Sequence, residues 1–142
     1  MKDIFHDLGL AIAIPSATYA ADNAPDAIDL RGFNSALISL AIGVGGITFS
    51  GANKIEFVLT HSNDGATFEP VTTDDVQGIT VASGGIIKAL VAAHAAATVS
   101  KIGYVGARRY LKLLADFSGT HGTGTPISAV VIKGHPSIAP VA

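Results

Sequence analysis

The stretch Lys54-Ile55-Glu56-Phe57-Val58-Leu59-Thr60, followed by His61 and then Ser62-Asn63-Asp64-Gly65, decides the fold. Ile55, Phe57 and Leu59 share one face, and Lys54, Glu56, Val58 and Thr60 share the other. That is the period of two required by a half-buried strand. Asn and Asp side chains bond their own backbone and Gly accepts positive φ. Ser62 to Gly65 therefore predicts a reversal toward Thr67 to Val71, and with it a β-hairpin.

The pattern extends outward from this hairpin. In Arg109 to Phe117, Arg109, Leu111, Leu113, Ala115 and Phe117 oppose Tyr110, Lys112, Leu114 and Asp116. Apolar residues on both faces predict a strand in the middle of a sheet, one side in the core and the other against a neighbour. Asn34 to Ile42 and Ile127 to Lys133 are further strand candidates, rich in Ile, Val, Leu and Ser and bounded by Gly or Pro. Weaker candidates are Leu8 to Ile14, Ala27 to Leu30, Ile47 to Ser50, Gly85 to Leu90 and Val99 to Val105. Leu90 to Ala97, where Ala is concentrated, predicts at most a turn or two of helix. About eight strands spaced by turn residues predict an all-β chain folded as a β-sandwich or jelly roll. Pro15 and Pro25 near the start, with Pro136 and Pro140 near the end, predict extended terminal arms. The expected division is an N-terminal arm with the first strand over 1–26, the sandwich over 27–134 and a C-terminal arm over 135–142.

The 142 residues correspond to one domain, with 49% apolar and only 14% charged, against about 25% charged in ordinary soluble domains. A compact monomer of 14.4 kDa exposes about 6,800 Å². Nine basic and 11 acidic side chains then leave one charge per roughly 340 Å². Gaps of that size approach the largest apolar patch on a free monomer, about 300–600 Å². The composition thus predicts sides that meet other copies of the chain or another protein.

A net charge of −2 and a pI near 6.2 offer no long-range attraction for nucleic acid. The absence of Cys excludes disulfides, thiolate metal sites and thiol catalysis. The longest apolar run, Ala36 to Phe49, is 14 residues, contains Ser39 and is broken by Gly43, Gly45 and Gly46. A membrane span needs about 18–20 such residues, so none is expected. The leading segment, with Lys2, the apolar Leu8 to Ile14 and Ala17-Thr18-Tyr19-Ala20, imitates a signal peptide, but Asp3 and Asp7 spoil its positive head. It reads as a structural arm.

No motif carries chemistry. His6, His61, His94, His121 and His135 lie at least 14 residues apart, so no metal-binding pair is visible and no metal is expected. His61-Ser62-Asn63-Asp64 contains the three residue types of a nucleophilic triad, but neighbours on one turn do not form the required relay. Gly43-Val44-Gly45-Gly46 and Gly122-Thr123-Gly124-Thr125 are followed by strand-like residues rather than a helix, and read as strand connections instead of phosphate cradles. Asp74-Asp75 reads as a solvated turn, lacking the twelve-residue calcium-loop pattern. Trp is absent and Tyr numbers 3, which argues against a sugar-binding surface. No catalytic residue and no cofactor are expected, and the chain does not read as an enzyme. The densest cationic spot supplies the candidate partner contacts: alternation sends Arg108, Tyr110 and Lys112 to one face, where they would dock an acidic partner surface.

Certain stretches carry a resemblance. They are Ala21-Asp22-Asn23-Ala24-Pro25, Ala27-Ile28-Asp29-Leu30-Arg31-Gly32-Phe33, Gly45-Gly46-Ile47-Thr48-Phe49, Leu59 to Gly65, Gly103-Tyr104-Val105-Gly106 and Arg109-Tyr110-Leu111-Lys112-Leu113. From about Ala20 onward the chain resembles small proteins encoded in the virion modules of tailed bacteriophages and prophages. The resemblance rests on turns and strands and brings no functional residue with it. It implies a structural virion component, made in the bacterial host cytoplasm, that decorates or cements the outer surface of the phage head. Its implied partners are the major capsid protein and other copies of itself, with a trimer as the favoured homo-oligomer. A tail or neck subunit is the alternative within the virion. A ligand- or glycan-binding sandwich is the alternative outside it.

Overall fold

The computed structural model describes residues 2–141; Met1 and Ala142, the outermost residues of the two expected arms, lie outside the described residues. Ten strands run in chain order: β1 (Gly9–Tyr19), β2 (Ile28–Asp29), β3 (Phe33–Ile42), β4 (Lys54–Ser62), β5 (Glu69–Pro70), β6 (Val76–Gln77), β7 (Ile86–Leu90), β8 (Thr98–Tyr104), β9 (Tyr110–Ser118) and β10 (Thr125–Pro136). They form two antiparallel sheets. One has the order β1-β10-β3-β8-β6; the other runs β2-β9-β4-β5, with β7 also on β4. This is the expected β-sandwich.

Its topology follows from one nested hairpin. β1 pairs β10, β2 pairs β9, β3 pairs β8 and β4 pairs β7, so the chain doubles back on itself along its whole length. Rolling that hairpin sets β10 beside β3 and β9 beside β4, and successive pairs fall in alternate sheets. The result is a jelly roll with β5 and β6 as two-residue additions. Ile38, Leu40 and Ile42 of β3, Ile102 of β8, and Ile127 and Val131 of β10 share one core with Ile55, Phe57 and Leu59 of β4 and Leu111 and Leu113 of β9. The hairpin read from Ser62 to Gly65 is present, with Thr60 opposite Pro70 and His61 opposite Glu69.

Several expectations are corrected. Leu90 to Ala97 forms no helix: Leu90 ends β7, and Val91–Ala97 is a loop held by the Gly45 N–H on His94 O at 2.8 Å. Seven residues with no apolar stripe to bury do not repay helix nucleation. Ile47 to Ser50 is not a strand; Phe49 is buried and the Gly46 N–H donates to Thr125 Oγ1 at 3.0 Å, so this backbone follows a core plug instead of a ladder. Val76–Gln77, not foreseen, extends the edge beside β8. The first strand falls within 1–26 as β1, which is integral to its sheet, and β10 runs to Pro136, opposite Phe33. The remaining ends meet, the Val141 N–H donating to His6 O at 2.8 Å.

Beyond the two residues of β2, the edge of β9 is closed by side chains. Asn23 Nδ2 donates to Leu113 O at 3.2 Å, Asn23 Oδ1 accepts from the Ala115 N–H at 2.7 Å, and Asp22 Oδ1 accepts from the Phe117 N–H at 2.7 Å. Asn23 is buried. Replacing it with Leu leaves a buried donor and a buried acceptor unpaired, each costing about 1–3 kcal/mol. Asn23→Leu is therefore expected to lower stability by about 2–4 kcal/mol in urea unfolding. Asn23→Asp, which keeps the acceptor for Ala115 but turns a buried carboxylate oxygen on Leu113 O, is expected to lose stability as well. Equal midpoints for parent and both variants would show that the stitch carries no stability.

Candidate functional site

The structure brings Arg108, Tyr110 and Lys112 together, but on the chain's own hairpin. Arg108 Nη2 lies 2.6 Å from Glu69 Oε2, and Lys112 Nζ lies 4.3 Å from the centroid of the Phe68 ring. The Tyr110 ring packs against Gly65, where a Cβ would meet Tyr110 Cε2 at 3.3 Å, and carries the Arg109 guanidinium 4.9 Å from its centroid. All three residues are half-buried. An exposed ion pair contributes about 0–1 kcal/mol and an exposed cation–π contact about 0.5–1 kcal/mol. Together these residues fasten the turn between β4 and β5.

The turn explains the His-Ser-Asn-Asp run. Ser62 Oγ donates to Asp64 Oδ1 at 2.8 Å, and the same carboxylate oxygen accepts from the Ala66 and Thr67 N–H groups, both at 2.9 Å. Those backbone bonds hold the Asp64 carboxyl down at about 2. His61 faces the other way, its Nδ1 2.9 Å from the Tyr104 hydroxyl, which in turn accepts from the Arg108 N–H at 3.3 Å. Serine and histidine do not meet as nucleophile and base. Asp75 likewise closes a turn, Oδ2 accepting from the Thr72 N–H at 2.8 Å. Among the described residues no three His, Asp or Glu side chains converge on a metal position.

Burial lowers the His61 imidazole below its ordinary value, with Asp75 opposing. The Arg109 fork lowers Asp29 to about 2. The unfolded chain therefore binds more protons than the folded one in two windows. One runs below the ordinary His value of 6.5; the other lies between 3.8 and about 2, where Asp29 and Asp64 protonate. In both, stability falls as pH falls. Urea midpoints are expected to drop on going from neutral to mildly acidic pH and to drop less in His61→Gln. Parallel pH profiles for the two would remove His61 from the acid response.

An exposed apolar face lies on the other sheet. Inward residues of β1, β10, β3 and β8 fill the core, so the alternate residues point out. The register aligns them in rows: Leu10, Ile132, Leu37 and Gly103; then Ile12, Val130, Ser39 and Lys101; then Ser128, Ala41 and Val99. Leu10 is 71% exposed, Ile12 66% and Val99 72%. Lys101 is the single charge in these rows. Four strands about 4.8 Å apart, over six residues of about 3.3 Å rise, give a flat footprint of roughly 400 Å². That is the scale of the largest patches on free monomers, which often mark contact sites. The signal for it was the apolar character of both parities in Leu8 to Ile14 and Ile127 to Lys133.

No protein-family model matches the chain, and no curated protein and no solved structure is significantly similar to it.

Proposed function

We propose that the chain is a structural virion protein that decorates and cements the outer surface of a tailed-phage head, binding the major capsid protein as a homo-oligomer, with a trimer favoured. The observation that carries this reading is the nearly uncharged outward sheet of β1, β10, β3 and β8, with Leu10, Ile12 and Val99 uncovered. Copies join through it. The resemblance of the turns and strands to virion-module proteins supports the setting, and the jelly roll is an architecture used in viral shells, a fold-level analogy only. The mechanism is mass action: contacts offered by the mature shell stabilise it in proportion to how tightly and how fully they are occupied. Symmetry repeats each modest contact around the particle.

The test is a copy count per purified particle of the phage that encodes the chain. A count matching the shell's own subunits supports the head assignment. A single ring's worth moves the chain to the tail or neck, and absence from particles overturns the virion reading.

A further inference from the structure

The chain has three arginines, Arg31, Arg108 and Arg109, and all three line one cleft of about 270 Å³ between the β2–β3 turn and the β8–β9 connection. Asn34 and Asn63 add amides to its rim, while Leu30, Phe33 and Val105 add apolar surface. Among the described residues no carboxylate lines it. Two of the guanidinium groups are ion-paired. Arg109 donates from Nε and Nη2 to the two oxygens of Asp29, both at 2.8 Å, and Arg108 pairs with Glu69. Each has five N–H donors, so these contacts orient the groups without exhausting them. The Arg31 backbone N–H also bonds Asp29, at 2.9 Å, but among the described residues its guanidinium has no carboxylate within ion-pair distance.

Three of the chain's nine cations thus line one concavity, and with Arg108 and Arg109 paired to Glu69 and Asp29 the uncompensated positive charge there is that of Arg31. The walls concentrate that field. Planar guanidinium forks match planar carboxylates in two-bond geometry. The apolar floor favours a ligand with aliphatic surface beside its charge, which a bare phosphate lacks.

We propose that this cleft binds an acidic peptide segment, seating an Asp or Glu carboxylate against Arg31 with an aliphatic neighbour on Leu30 and Phe33. Placing that segment on the shell surface rests on the virion reading. The preference for a carboxylate peptide does not.

The experiment is a titration of the ¹⁵N-labelled full chain with the capped peptide Leu-Glu-Glu-Leu, with capped Leu-Gln-Gln-Leu and with inorganic phosphate, followed by NMR. The Glu peptide is expected to give saturable shifts at the Arg31 Nε–H and the Gly106 and Ala107 amides, weakening with added salt. Arg31→Gln should bind about tenfold more weakly, the loss of one charge-assisted bond. Arg31 is exposed, so unchanged resonances elsewhere will show the variant folded. No saturation, an equal response to the Gln peptide, unaltered binding by Arg31→Gln, or a response to phosphate alone would overturn the proposal. A chain absent from particles leaves this titration standing, and a failed titration leaves the copy count standing.

Discussion

Phe57→Ala is expected to destabilise the fold by about 3–5 kcal/mol, the usual range for emptying a fully buried aromatic site. Phe57 is 0% exposed and lies in β4, the strand that pairs β9 on one edge and β7 on the other. Its ladder partner on β9 is the small Ala115, so the site directly opposite offers no bulk to refill the vacated space. Domains of this size have total stabilities of about 5–15 kcal/mol, so the variant loses roughly a fifth or more of the whole. Urea unfolding should show a lower midpoint with an unchanged slope. Phe57→Leu, which keeps most of the volume, should lose far less. A change below about 1 kcal/mol for Phe57→Ala would mean that the core is not centred on this residue.

The second large effect is on association. Ile12→Glu is expected to weaken self-association by about a hundredfold or more while leaving monomer unfolding within about 0.5 kcal/mol of the parent. Ile12 is 66% exposed, so its replacement leaves no cavity. It sits beside Val130 in a row whose only charge is Lys101, two strands farther on. A carboxylate placed there must be desolvated without a partner when a second copy covers the face, at a cost of several kcal/mol. Ser83→Glu, on an exposed turn off this sheet, is the control and should associate normally. Sedimentation equilibrium across concentrations measures all three chains. Equal weakening by Ser83→Glu would assign the effect to net charge instead of the face.

Local chemistry was the legible part of the fold. Ile55, Phe57 and Leu59 alternate strictly and are all buried, and Ser62 to Gly65 turns the chain through bonds within four residues of one another. What could not be read depends on distant partners. Ile47 to Ser50 has strand composition, yet Phe49 is drawn into the core near His121, 6.1 Å between ring centroids, and Gly46 packs so closely on Gly124 O that any side chain there would collide. The nested pairing of β1 with β10 and β2 with β9 joins the two ends of the chain, and alternation within one strand carries no register for that.

The same division runs through the site. Tyr110 and Lys112 point away from the core as alternation requires, but Phe68 and Glu69, which cover Lys112 and Arg108, are supplied by the hairpin, and nothing in the strand itself aims them. Arg31 meets Arg108 and Arg109 only because β3 pairs with β8 and β2 with β9. The outward apolar face was half legible. The sparse charge of the composition announced sides that meet a partner, and only the fold shows which side has no cover within the chain.

The mass of the purified chain in solution, followed by sedimentation from micromolar to millimolar concentration, tests that uncovered side most directly. A particle of several 14.4 kDa units that persists on dilution is expected. A single 14.4 kDa species throughout, still freely soluble at the highest concentration, would contradict it.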